Sequence, residues 1–144
     1  MNTSNKISNV QLKIKSKTEN LSEVRSFAEK IANQLGFSED SISKIILAID
    51  EACTNIIKHA YKYDPDGDII ISFSFNGNKL SISILDYGNH FDPDKIPEPD
   101  IKEYYKQKKS GGLGMFLMKK LMDEVVYSTT SGSYNQVTLI KYLS

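Results

Sequence analysis

From Ile42 to Ala60 apolar residues recur at helical spacing. At about 100° per residue, Ile42, Ile45, Ile46, Ile49, Ala52, Cys53, Ile56, Ile57 and Ala60 gather into one broad stripe. A helix this apolar on one side must be covered by a second layer. Glu51 and Asn55 fall roughly opposite the stripe, one turn apart, so their side chains point the same way. The pair fits two readings: a polar helix face in water, or a carboxylate base beside a carboxamide metal ligand.

The flanking sequence offers a sheet as the covering layer. Val10, Leu12 and Ile14 alternate with Gln11, Lys13 and Lys15, the period of a half-buried strand whose lysines suit an edge. An amphipathic helix follows through Leu21, Val24, Phe27, Ala28, Ile31 and Leu35. Asn20 and Glu23 offer it a capping-box start, and Gly36 a stop. Ser38 is placed to cap the central helix, with Glu39 and Asp40 at its positive end. Beyond the turn at Asp64-Pro65-Asp66-Gly67, Ile69, Ile71, Phe73 and Phe75 alternate outward, and Leu80, Ile82 and Ile84 return after Asn76-Gly77-Asn78.

From Tyr87 to Gly112 the pattern stops, and three of the four prolines fall there. A stretch so long and irregular inside a compact domain reads as a functional loop or lid, with one short helical turn near residues 102–106. A helix through Met115, Phe116, Met118, Leu121 and Met122 and two closing strands complete the order β-α-α-β-β-lid-α-β-β. Strands and helices do not alternate regularly. The expectation is an α+β fold, a two-layer α/β sandwich with a mixed sheet and helices on one face. Residues 1–144 read as one domain, residues 1–9 as a flexible lead-in and 87–112 as the lid.

Composition narrows the function. Lysine and arginine balance aspartate and glutamate at 18 each, so no net charge favours nucleic acid or an anionic membrane as the main partner. Apolar runs are too short to span a bilayer, and the polar N-terminus lacks the apolar core of a signal peptide. Cys53 is the single cysteine and lies on the apolar stripe, as a small buried hydrophobe would. The expected location is a reducing cytoplasm.

Two further motifs carry chemistry. Asp86-Tyr87-Gly88 ends a hairpin strand. The carboxylate can accept from an exocyclic amine and the glycine admits a flat ring, although Asp-x-Gly is also a common turn. Gly111-Gly112-Leu113-Gly114 opens a helix, where free N–H groups and the helix dipole favour phosphate; a plain glycine hinge is the alternative. No Gly-Lys-Ser/Thr follows, so this is not a Walker A loop.

In this order, the motifs resemble the ATP-binding (Bergerat) domain of the GHKL superfamily of gyrase, Hsp90, histidine kinases and MutL. Glu51-x-x-x-Asn55 matches its N-box, Asp86-x-Gly88 its first glycine box and Gly112-Leu113-Gly114 its second. The wording is closer still to the bacterial anti-sigma-factor serine/threonine kinases. Asp50-Glu51-Ala52-x-Thr54-Asn55-x-x-x-His59-Ala60-Tyr61, Asp86-x-Gly88-x-x-Phe91-Asp92, and Gly112 to Leu117 with Leu121 to Val125 all resemble them.

The resemblance implies a protein kinase using ATP and Mg²⁺. Glu51 would be the general base, Asn55 the Mg²⁺ ligand, Asp86 the adenine-amine acceptor and Gly88 the room for the ring. Gly111, Gly112, Leu113, Gly114 and Met115 would offer N–H groups to the phosphates. His59 would touch a phosphate or the lid, or else simply pack; Lys58, Lys108 or Lys109 would neutralise phosphate charge. The implied partners are a sigma factor, a STAS-type anti-anti-sigma protein phosphorylated on Ser or Thr, and a second copy of the chain. Two departures separate this sequence from many relatives: Lys108-Lys109-Ser110 where an Arg often stands, and Tyr134-Asn135-Gln136 where the last strand often starts Gly-Thr. They keep open a non-catalytic module that switches partners on binding ATP or ADP.

Overall fold

The computed structural model describes residues 7–90, 118–130 and 133–144. Five strands, β1 (Ile7–Lys15), β2 (Asp68–Asn76), β3 (Lys79–Asp86), β4 (Glu124–Thr130) and β5 (Tyr134–Tyr142), form one sheet in the order β1-β2-β3-β5-β4. The main helices are α1 (Leu21–Leu35) and α2 (Glu39–Asn55), and residues 118–121 are also helical (α3). This is the α+β architecture expected from the sequence.

All four described ladders are antiparallel, which corrects the expected mixed sheet. The reason lies in the connections. One helix between two strands returns the chain to the start and gives a parallel pair. Here two helices intervene between β1 and β2, so the second strand runs back against the first. β2–β3 and β4–β5 are hairpins, and β5 inserts between β3 and β4.

The strands show the alternation their sequences carry. On β2 the residues Ile69, Ile71, Phe73 and Phe75 are buried, and on β3 so are Leu80, Ile82 and Ile84. Opposite them, α1 contributes Val24, Ala28 and Ile31 to the same core, and α2 contributes Ile45, Ile49, Ala52 and Cys53. Each fully buried isoleucine supplies roughly 1.5–3 kcal/mol relative to exposure. Phe27 meets Phe73 edge-on at 5.6 Å, and Phe37 meets Phe75 at 6.3 Å, fixing the helix layer against the sheet.

The helix ends match the sequence at two points of three. Gly36 takes the left-handed conformation, φ 92°, that closes α1. Ser38 Oγ accepts from Ser41 N at 3.1 Å and caps α2. Asn20, expected as a cap, makes no capping bond. A 3-10 turn over Thr18–Asn20 precedes α1, and the Asn20 amide instead donates to Lys15 O at 3.1 Å. β1 also starts at Ile7, within the expected lead-in, with a bulge near Asn9, whose φ is 52°. As its lysines suggest, β1 lies at the sheet edge.

Candidate active site

The central helix does not end as an α-helix. Its last turn, Ile56–Ala60, widens to a π turn in which Tyr61 N bonds Ile56 O at 3.0 Å. Such turns recur at functional sites because they re-aim side chains within an otherwise regular helix. Lys62 and Tyr63 then take positive φ, 50° and 69°, and stop it.

On the upstream turns, Asn55 is only 1% exposed, so the solvated-face reading fails for it. Neither atom of its amide has a hydrogen-bond partner among the described residues, and Glu51 Oε2 is likewise buried without one. A buried polar group left unpaired costs roughly 1–3 kcal/mol. Three such atoms on two residues one turn apart are exceptions of the kind that a bound polar ligand explains. Burial raises the proton affinity of Glu51 above the usual carboxylate value, Asp50 adds to it, and Lys58 opposes it. Asp50 itself is engaged by Arg25 of α1 at 2.6 Å. His59, on the π turn, is pushed down by partial burial and then by the charge of Lys58, which favours the neutral imidazole at pH 7.

The chain leaving β3 is clamped onto the end of this helix. Tyr87 N donates to Tyr61 Oη at 2.9 Å, and that hydroxyl donates to Asp68 O at 2.6 Å. Asn89 N donates to Ala60 O at 2.8 Å. Gly88 explains itself at this point: a Cβ there would lie 2.7 Å from the carbonyl carbon and oxygen of Ala60. The glycine admits the helix end, a packing reason that Asp-x-Gly spacing does not display. The loop after Asp86 is therefore fixed to the end of the helix that carries Glu51 and Asn55.

Asp86 is 1% exposed, and burial raises its pKa against the pull of hydrogen bonds from Asn135 and Gly88. Oδ1 accepts from Gly88 N and from Asn135 Nδ2, each at 2.9 Å. The sequence shows Asn135 only as a departure, gives Tyr61 no role beyond its place in the motif, and does not single out His90. The usable signal was register: β3 and β5 pair Asp86 with Asn135. Gly111, Gly112, Leu113, Gly114 and Met115, Lys108 and Lys109, and the expected turn at 102–106 lie outside the described residues.

A hard divalent cation fits what is described. No group of three or more His, Cys, Asp or Glu among the described residues forms a protein cage. The orphaned Asn55 oxygen suits a cation whose remaining ligands are phosphate oxygens and water. No helix among the described residues is long and apolar enough to cross a membrane.

Known proteins share this sequence pattern and this fold. The histidine kinase-like ATPase domain family matches residues 14–141. The serine-protein kinase RsbW of Bacillus subtilis (strain 168) is 34% identical over 140 residues, covering 94% of this chain and 86% of its own length. RsbW of Bacillus cereus (strain AH820) is 36% identical over 138 residues, covering 93% and 84%. Among solved structures, the RsbU and RsbW domains of Rv1364c from Mycobacterium tuberculosis match with TM-score 0.69 at 17% identity. That match covers 95% of this chain and 33% of the other. The SiaB–SiaC complex from Pseudomonas aeruginosa matches with TM-score 0.64 at 11% identity, covering 95% and 90%. At those identities the two structures speak for the fold alone.

Proposed function

This chain belongs to the family of histidine kinase-like ATPase domains, and from that premise we propose that it is an ATP-dependent serine/threonine protein kinase acting as an anti-sigma factor. Its substrate is a STAS-type antagonist of the sigma factor, phosphorylated on a Ser or Thr hydroxyl. The observation that carries the catalytic part is the pair of Glu51 Oε2 and the Asn55 amide, buried and without a partner among the described residues. An inert helix face would have no reason to bear that cost.

Phosphoryl transfer is chiefly positioning and charge stabilisation. Asp86 accepts the adenine amine, and the clamped loop fixes the base relative to α2. Mg²⁺, held by Asn55 Oδ1, supplies neutralisation of phosphate charge when bound. The acceptor hydroxyl oxygen forms a bond to the γ-phosphorus as the bond to the β,γ-bridging oxygen breaks, and ADP leaves. Glu51 takes the hydroxyl proton, a task its raised proton affinity suits. The glycine-rich stretch at 111–114 supplies N–H groups to the phosphates.

The test is transfer of label from Mg·ATP to candidate STAS-type proteins of the same organism. Wild type should label one of them on Ser or Thr, and Glu51→Gln should reduce that rate by 10²-fold or more, roughly the contribution of a positioned base. Full transfer by Glu51→Gln would remove the assigned base. Nucleotide binding without any transfer would leave a non-catalytic partner switch.

A further inference from the structure

Asn135 stands at the start of β5, and its amide has a single workable orientation. Nδ2 lies within reach of three acceptors: Asp86 Oδ1 at 2.9 Å, Asn89 O at 3.2 Å and Gly88 O at 3.3 Å. Oδ1 faces His90 Nδ1. Turning the amide over would point its oxygen at three acceptors. His90 Nδ1 therefore carries the proton and donates it, which locks the amide from the other side. Asn135 is 7% exposed, so water offers little substitute.

The consequence falls on Asp86. Both described donors to this carboxylate, Gly88 N and Asn135 Nδ2, load Oδ1. Oδ2 accepts no hydrogen bond among the described residues. We infer that Asn135, locked by His90, is the positioning residue that sets base specificity, presenting Asp86 Oδ2 as a charged acceptor for a 6-amino purine and against a 6-oxo purine. The inference deepens the kinase reading above and rests on its adenine site. The amide also opposes the upward push of burial on the Asp86 carboxyl. Without it the acid takes a proton more readily and can donate to a keto oxygen, so discrimination between bases collapses from both directions.

Binding of Mg·ATP and Mg·ITP, which differ at that 6-position, should be measured by calorimetry on wild type, Asn135→Val and Asn135→Thr. The two variants have the same shape and suit a strand, but only Thr keeps a donor. Thermal melting without nucleotide checks that each folds. Wild type should prefer ATP. Asn135→Val should lose at least about tenfold of that preference, the scale of one hydrogen bond to a charged group. Asn135→Thr should retain more of it than Val. A Val variant with the wild-type ATP-to-ITP ratio, or one weakening both nucleotides equally, would overturn the positioning role while leaving the adenine site intact. A wild-type protein that binds ATP no better than ITP would overturn the adenine reading and this inference with it.

Discussion

Gly88→Ala offers a sharp test of how the loop and helix are joined. The added Cβ would sit 2.7 Å from both Ala60 C and Ala60 O, and 2.8 Å from Ala60 Cβ. Ordinary contact begins near 3.4 Å, so the gap must open by about 0.7 Å. The obstacle is helix backbone, which cannot swing aside as a side-chain end would. Gly88 does not have a positive φ, so the penalty comes from contact and not from backbone strain. Overpacking of this kind costs roughly 1–3 kcal/mol. Moving the loop also lengthens the 2.8 Å bond from Asn89 N to Ala60 O, worth about another 0.5–1.5 kcal/mol. Together they predict about 2–4 kcal/mol of destabilisation, a fall in Tm of roughly 5–15 °C for a chain of this size. Calorimetric melting without nucleotide reads this directly, and ATP affinity should fall as Asp86 shifts. Gly77→Ala is the contrasting control: its φ is 69° but nothing lies within 4 Å, so only a modest conformational cost of about 1 kcal/mol is expected. A Gly88→Ala protein that melts and binds ATP like wild type would refute the clamp.

Two other outcomes follow from buried groups. Folding raises the Glu51 pKa above its ordinary 4.5. The stability tied to its neutral form is therefore fully present below that value and lost as pH rises through the folded pKa. Glu51→Gln, neutral throughout, should melt higher than wild type at pH 7, with the difference shrinking towards pH 4; a gap that stays constant with pH would contradict the assignment. The Cys53 thiol is fully buried and pushed up to about 12 by desolvation. It should resist a thiol reagent at pH 8 in the native state and react at the ordinary thiol rate only in denaturant.

Much of the fold was legible because periodicity reports burial. Alternation on β2 and β3 and the stripe on α2 named the core residues almost one for one, with Ala48 added and Ile46 only partly covered. Strand direction was not legible. It depends on which strands become neighbours, and β5 pairs with both β3 and β4, an order that no single segment displays. Asn20 shows the limit of local rules: the capping-box spacing is present, yet a 3-10 turn moves the chain and the amide is used on Lys15 O. Local sequence states which bonds are available, and tertiary placement decides which are made.

The site divides along the same line. Glu51 and Asn55 could be read as a pair because a helix fixes their spacing, but whether water covered them could not. On an isolated helix their face looks solvated. In the folded chain Asn55 is as inaccessible as the neighbouring core isoleucines, and its amide remains unpaired among the described residues. Hydrophobic substitution there would relieve an unpaired polar cost of about 1–3 kcal/mol, so stability alone would favour replacing it. Asn135 gives the complementary case. Its amide is saturated with partners, and those partners are Asp86 and the loop that carries it. One residue is kept polar without satisfaction, the other is satisfied so that Asp86 need not be fully so. On the proposed kinase reading, both arrangements leave acceptors for a ligand, Asn55 for a cation and Asp86 for a base.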